Sequence, residues 1–307
     1  SGMASCSLPC TVPLAVAWAL AWGTLALVAC MVLALLLLRW LRWRHVPRRA
    51  AFEARWRPLL MCCALGDGVP APLPRLARRE RWPWMQLWLH LQMSLQGPSR
   101  GHLAALGQAM GAAELALARV YSNHQSERLV GLLALGFLQD PAHERELQQA
   151  LVQGRNPTVV YAARALLEID AARHAPAVAQ ALLACPGLDM SLVSVMLKPF
   201  RGALHGALIA AGPQSLPALR LAWALRLQWP QPLLAPCLAP GQDPEVLMAA
   251  LRLVQGEQGA QPVIALAQHA DWRVRAQAAR ALAEIGSCAE LPLLAAMTAD
   301  AQWWVRY

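Results

Sequence analysis

The sequence predicts an all-α protein in which an N-terminal transmembrane helix is followed by an α-solenoid of helical hairpins. Three observations carry that expectation. Residues 11–38 hold no charge over 28 positions, longer than the roughly 20 apolar residues a helix needs to cross hydrocarbon. The stretch Asp271–Gly286 reads as one complete helix with both ends marked. Helix ends of the same kind recur along the chain, each followed five or six residues later by a proline, which is the pattern of a stacked repeat.

Residues 1–10 form a short uncharged tail. The run from Thr11 to Leu38 has no basic leader and is too long for the apolar core of a cleavable signal peptide. It reads as a single-pass anchor in the lipid bilayer. Leu27-Val28-Ala29-Cys30 matches a lipobox locally, but eight more apolar residues follow it. Arg39, Arg42, Arg44, Arg48 and Arg49 lie just behind the run and no charge precedes it. The positive-inside rule then puts the N-terminus in the periplasm and the C-terminal part in the cytoplasm, at a bacterial inner membrane. Arginine outnumbers lysine 26 to 1, which fits a GC-rich bacterial genome. Trp40 and Trp43 suit the inner interfacial belt, and Trp18 and Trp22 fall nearer the outer half. The arginines serve either as a topology signal or as a site for anionic lipid.

Residues 39–97 are a basic juxtamembrane and N-capping region. A first amphipathic helix is expected over 48–63 and a loop over Gly66–Pro74. Next, Trp84, Leu87, Trp88, Leu91 and Leu95 form a heavy apolar stripe, preceded by Arg75, Arg78, Arg79 and Arg81. Such a helix either covers the first repeat or lies in the membrane interface.

Residues 98–307 carry the repeats. Asp271 suits an N-cap, and Val274, Ala278, Ala281, Leu282 and Ile285 make one apolar stripe at three- and four-residue steps. Gly286 supplies a left-handed stop, while Arg273, Gln277, Arg280 and Glu284 fall on the solvated face. Helices ending Ile169-Asp170, Ala211-Gly212, Gln255-Gly256 and Ile285-Gly286 are followed by Pro176, Pro217, Pro262 and Pro292, each where a new helix would open. The wider middle spacings, about 42 to 44 residues against about 30, leave room for an extra short helix. Gly107-x-x-x-Gly111 and Gly202-x-x-x-Gly206 are expected at close helix contacts.

Asp271-x-x-Val274-Arg275-x-x-Ala278-Ala279-x-Ala281-Leu282-x-x-Ile285-Gly286 resembles the second helix of a short HEAT-type repeat, the kind also found in phycobilisome-lyase-like proteins. Weaker copies run over 156–170 and 243–256, and an incomplete one opens at Asp300 with Val305-Arg306. The resemblance implies that Asp271 caps its helix and that Arg275 bridges to the next repeat. It is specific for fold and nearly silent on activity. The last repeat reads as incomplete, so its apolar edge is covered by further chain or by a partner. Trp272, Trp303 and Trp304 either anchor that partner, with Arg273 beside them, or pack under a missing final helix.

The net charge of +9 is unevenly spread. Residues 39–81 carry eleven arginines against Glu53, Asp67 and Glu80, whereas from residue 82 onward sixteen basic residues face fifteen acidic ones. A nucleic-acid partner needs positive charge along the binding surface, so none is expected. The eight cysteines include no C-x-x-C pair and read as reduced, mostly buried residues. No spacing of His, Cys or carboxylates fits a metal, and no nucleophile elbow, P-loop or dinucleotide fingerprint occurs. Accordingly no cofactor, no catalytic residue and no small-molecule substrate are expected.

Two functions remain. The first is a non-enzymatic scaffold or adaptor whose solenoid binds a partner protein at the inner membrane, for instance as an accessory subunit of a membrane-embedded, polysaccharide-synthesising complex. The alternative is a HEAT-like enzyme or ligand carrier, similar to bilin lyases or DNA glycosylases.

Overall fold

In a computed structural model, residues 14–66, 72–95, 97–256, 260–285 and 288–307 are described, and every regular element among them is helical. Gly286, expected to stop its helix, lies outside the described residues. The chain divides into two compact units, Ser1–Cys62 and Cys63–Tyr307.

The first unit is built on α1 (Leu14–Leu65). Its part Trp18–Leu37 has a mean hydropathy of 2.5 with none of it buried, so it is long and apolar enough to cross a membrane. Trp18, Trp22, Arg39 and Trp40 are exposed. The side chains of Arg42, Trp43 and Arg44 lie outside the described residues. The separate helix expected over 48–63 is instead a continuation of α1, which runs through Pro47 without ending. A single proline removes one backbone hydrogen bond, and the Arg, Ala and Leu residues around it are good helix formers.

The second unit opens with α2 (Arg81–Ser94) and α3 (Pro98–Ala109). Trp84, Trp88 and Leu91 of the α2 stripe are buried, and α2 packs on α3 and on α5 (Gln125–Leu138), the helix that follows α4 (Ala112–Val120). Trp84 and Trp88 stack with centroids 6.1 Å apart, and Trp88 Nε1 donates to the Leu103 carbonyl at 2.8 Å.

From here the helices alternate between two rows. They are α6 (Glu144–Gln153), α7 (Thr158–Ile169), α8 (Ala171–Ala184), α9 (Met190–Leu197), α10 (Arg201–Ala211) and α11 (Leu216–Ala224). The rest are α12 (Gln231–Leu234), α13 (Pro244–Leu251), α14 (Ala260–Leu266), α15 (Trp272–Ile285), α16 (Leu291–Met297) and α17 (Trp303–Arg306). In one row α5, α7, α9, α11, α13, α15 and α17 each pack on the next, while α6, α8 and α10 form the facing row. This is the arrangement of an α-solenoid, in which each unit buries its apolar stripe against its neighbours. The extra short helix expected in the wide middle repeats is α12, continued by the 3-10 turn Ala235–Leu238.

Aspartates and one serine start many of these helices. Asp140, Asp170, Asp189, Ser215 and Asp243 each accept a backbone N–H of the first turn. Pro217 and Pro292 sit at the second position of α11 and α16, and Pro262 at the third of α14. Pro176 differs, lying inside α8. The Asp170 carboxylate caps Arg173 N at 3.0 Å and starts that helix before the proline is reached. The helix expected to end at Gln255 stops at Leu251, because Leu253 and Val254 leave it to enter the core.

Of the four glycines expected at close contacts, only Gly107 is at one. A Cβ on Gly107 would meet the Trp88 ring at 2.8 Å, but Gly111 is a left-handed turn residue and Gly202 and Gly206 have nothing within 4 Å. Further tight crossings are at Gly131, where a Cβ would meet the Ala116 carbonyl at 2.8 Å, and at Gly136 against Ala165 of α7. The segment Met190–Ala211 also passes for a membrane span by length and composition. It consists of α9, a 3-10 turn and α10, and it buries Val193, Met196, Leu197, Leu204 and Leu208 within the stack. Among the described cysteines Cys63 and Cys237 are buried and Cys185 is half-buried, whereas Cys30 and Cys62 are exposed, so burial is less general than expected.

Candidate partner-binding surface

The Asp271 carboxylate accepts Arg273 N at 2.8 Å, which fixes the start of α15. The Arg273 guanidinium folds back onto that carboxylate, with Nη2 donating to Oδ2 at 2.7 Å, and these bonds hold the Asp271 carboxyl below its usual range. Arg275 points the other way. Its Nε and Nη2 donate to Asp300 at 2.8 and 2.9 Å, and its Nη1 donates to the His269 carbonyl at 2.9 Å. Asp300 in turn accepts Gln302 N at 2.8 Å and so sets α17. With Arg275 the chief cause, the Asp300 carboxyl is lowered to about 2. Val274 and Val305 are buried under the two helices.

These contacts bring Trp272, Arg273, Ala276, Gln277 and Arg280 of α15 opposite Trp304 of α17 around a cleft of about 290 Å³. Trp303 stands beside it, edge-on to Trp304 with centroids 4.7 Å apart and stacked on Tyr307 at 5.3 Å. Trp303 and Trp304 remain 51% and 57% exposed, while Trp272 is half-buried. Arg280 is exposed and makes no ion pair or hydrogen bond with a described residue. The cleft therefore offers aromatic walls, a small apolar floor at Ala276 and one uncommitted cation.

Two groups escaped the sequence reading. Trp223 of α11 is 49% exposed, with the Arg252 guanidinium 5.0 Å over its ring, and Arg220 pairs with Glu245 of α13 at 2.6 Å. Arg252 stands nine residues after Asp243, as Arg280 does after Asp271, so the repeat alignment was the available signal. The second group is buried. Arg164 of α7 donates to the Met196 carbonyl at 2.7 Å and to Glu168 at 2.8 Å, and Arg100 reaches Glu168 at 3.2 Å. Phe137 lies under both guanidinia. Burial pulls the Arg164 pKa below the usual arginine range, with Glu168 opposing. This network ties α3, α5, α7 and α9 together.

Among the described residues no three His, Cys, Asp or Glu side chains gather where they could hold a metal ion. A family model described as HEAT repeats matches residues 232–307, about a quarter of the chain. No curated protein and no solved structure matches. Over its last repeats, which include the Trp272–Trp304 cleft, the chain is similar to HEAT repeats.

Proposed function

We propose that this chain is a membrane-anchored, non-enzymatic adaptor whose solenoid binds a partner protein beside a bacterial inner membrane. The N-terminus is periplasmic and the solenoid cytoplasmic in this reading. The observation that carries it is the cleft between α15 and α17, where exposed tryptophans and an uncommitted arginine meet. Trp and Arg are the residues most enriched among the anchors of protein interfaces, and HEAT repeats generally mediate contacts between proteins. The Trp18–Leu37 segment supports the anchor, and the arginines behind it support the orientation. An accessory role in a membrane-embedded complex, such as one that synthesises polysaccharide, fits a protein held at the bilayer. The test is purification of the full chain from membranes in mild detergent. One protein should co-purify in stoichiometric amount and be lost from the Trp272→Ala, Trp304→Ala double variant. Recovery of the chain alone would overturn the reading.

A further inference from the structure

We propose that Arg75, Arg78, Arg79 and Arg81, at the start of the second unit, form a docking surface for the anionic headgroups of a phospholipid bilayer. This rests on the membrane-anchor reading above. All four guanidinium groups are exposed, and none makes a hydrogen bond or ion pair with a described residue. Elsewhere in the unit Arg100, Arg119, Arg164, Arg220 and Arg275 each hold a carboxylate. The 3-10 turn Arg78–Glu80 has no buried residue, so the cluster supports no core.

Within the second unit the positive charge is concentrated there. From residue 82 onward basic and acidic residues nearly cancel, while Arg75–Arg81 holds four arginines against Glu80 alone. Leu73 stands exposed just ahead of them. An apolar tip beside guanidinium groups matches the boundary between acyl chains and headgroups, and the guanidinium fork fits a phosphate. Tracking a nucleic acid needs positive charge spread along the surface, whereas this cluster is local. The apolar helix of the same chain also keeps the segment at high effective concentration near a bilayer. Near an anionic leaflet each arginine adds about a fivefold preference for the surface.

The full chain is reconstituted in nanodiscs of phosphatidylcholine alone or of phosphatidylcholine with phosphatidylglycerol, and amide hydrogen exchange over residues 73–82 is followed. Exchange is expected to slow about fivefold or more in the anionic discs. The slowing should vanish in high salt and in a variant carrying Arg75→Gln, Arg78→Gln, Arg79→Gln and Arg81→Gln, and persist when the same four become lysine. Equal exchange in the two discs would overturn the proposal, and so would equal protection by a DNA duplex added to the neutral discs. Alkaline carbonate extraction separates this from the anchor. A chain released by carbonate refutes the anchor, yet if it floats with anionic and not with neutral vesicles, and the four-glutamine variant floats with neither, the arginine surface stands.

Discussion

Arg275 of α15 holds Asp300, ahead of α17, through two hydrogen bonds of 2.8 and 2.9 Å, and its third nitrogen closes the loop before its own helix. One guanidinium thus fixes both the entry to α15 and the position of the next repeat, which carries the Trp304 wall of the cleft. A fork of this kind sets geometry as well as energy.

The pH dependence of that link has a definite sign. Asp300 sits at about 2 in the folded chain against an ordinary 3.8. Its contribution is therefore complete above about pH 4 and lost as the pH falls through about 2. Hydrogen exchange over residues 303–307, taken relative to the intrinsic amide rate at each pH, should rise across that window. In Asp300→Asn it should already be fast at neutral pH and change less on acidification. A variant that follows the parent across the window would refute the link.

Two glycine substitutions should act in opposite directions. Gly136→Ala places a methyl 2.7 Å from Ala165 Cβ and 3.0 Å from its carbonyl oxygen, so it should destabilise the unit by roughly 1–3 kcal/mol through overpacking. Gly206→Ala meets nothing within 4 Å inside α10 and should stabilise by about 0.5–1 kcal/mol through reduced backbone entropy. Urea unfolding of the full chain in detergent reads both.

Arg164 is 4% exposed and divides its bonds between the Met196 carbonyl and Glu168. Arg164→Met should cost about 3 kcal/mol, since Glu168 is left with Arg100 alone in a buried setting. Arg164→Lys should recover less than half of that in the same unfolding measurement, because an ammonium cannot present the planar fork. Full recovery by lysine would show that charge alone suffices.

What was legible in the sequence was local. Asp271, Val274 and Arg275 announce a cap, a buried stripe and a bridge within five residues, and the structure places all three accordingly. The α2 stripe was visible for the same reason. Spacing alone does not say which face meets a neighbour. Gly202 and Gly206 share a face that nothing approaches, whereas the tight crossings at Gly131 and Gly136 follow no familiar spacing. Burial of Arg164 depends on a carbonyl 32 residues away, so no local pattern marks it. Pro176 misled because the competing Asp170 cap acts earlier. The cleft was only half readable: Trp272, Arg273 and Trp304 stood out as residue types, but Arg280 had looked like one more solvated charge.

The central claim, that the cleft between α15 and α17 receives a protein at the membrane, is tested most directly by photo-crosslinking in intact membranes. A photoreactive residue replaces Gln277 inside the cleft or, as a control, Val195, which is 72% exposed on α9. A single discrete adduct is expected from position 277 and none from position 195, with the adduct lost on Trp304→Ala. The same adducts from both positions, or none from position 277, would contradict it.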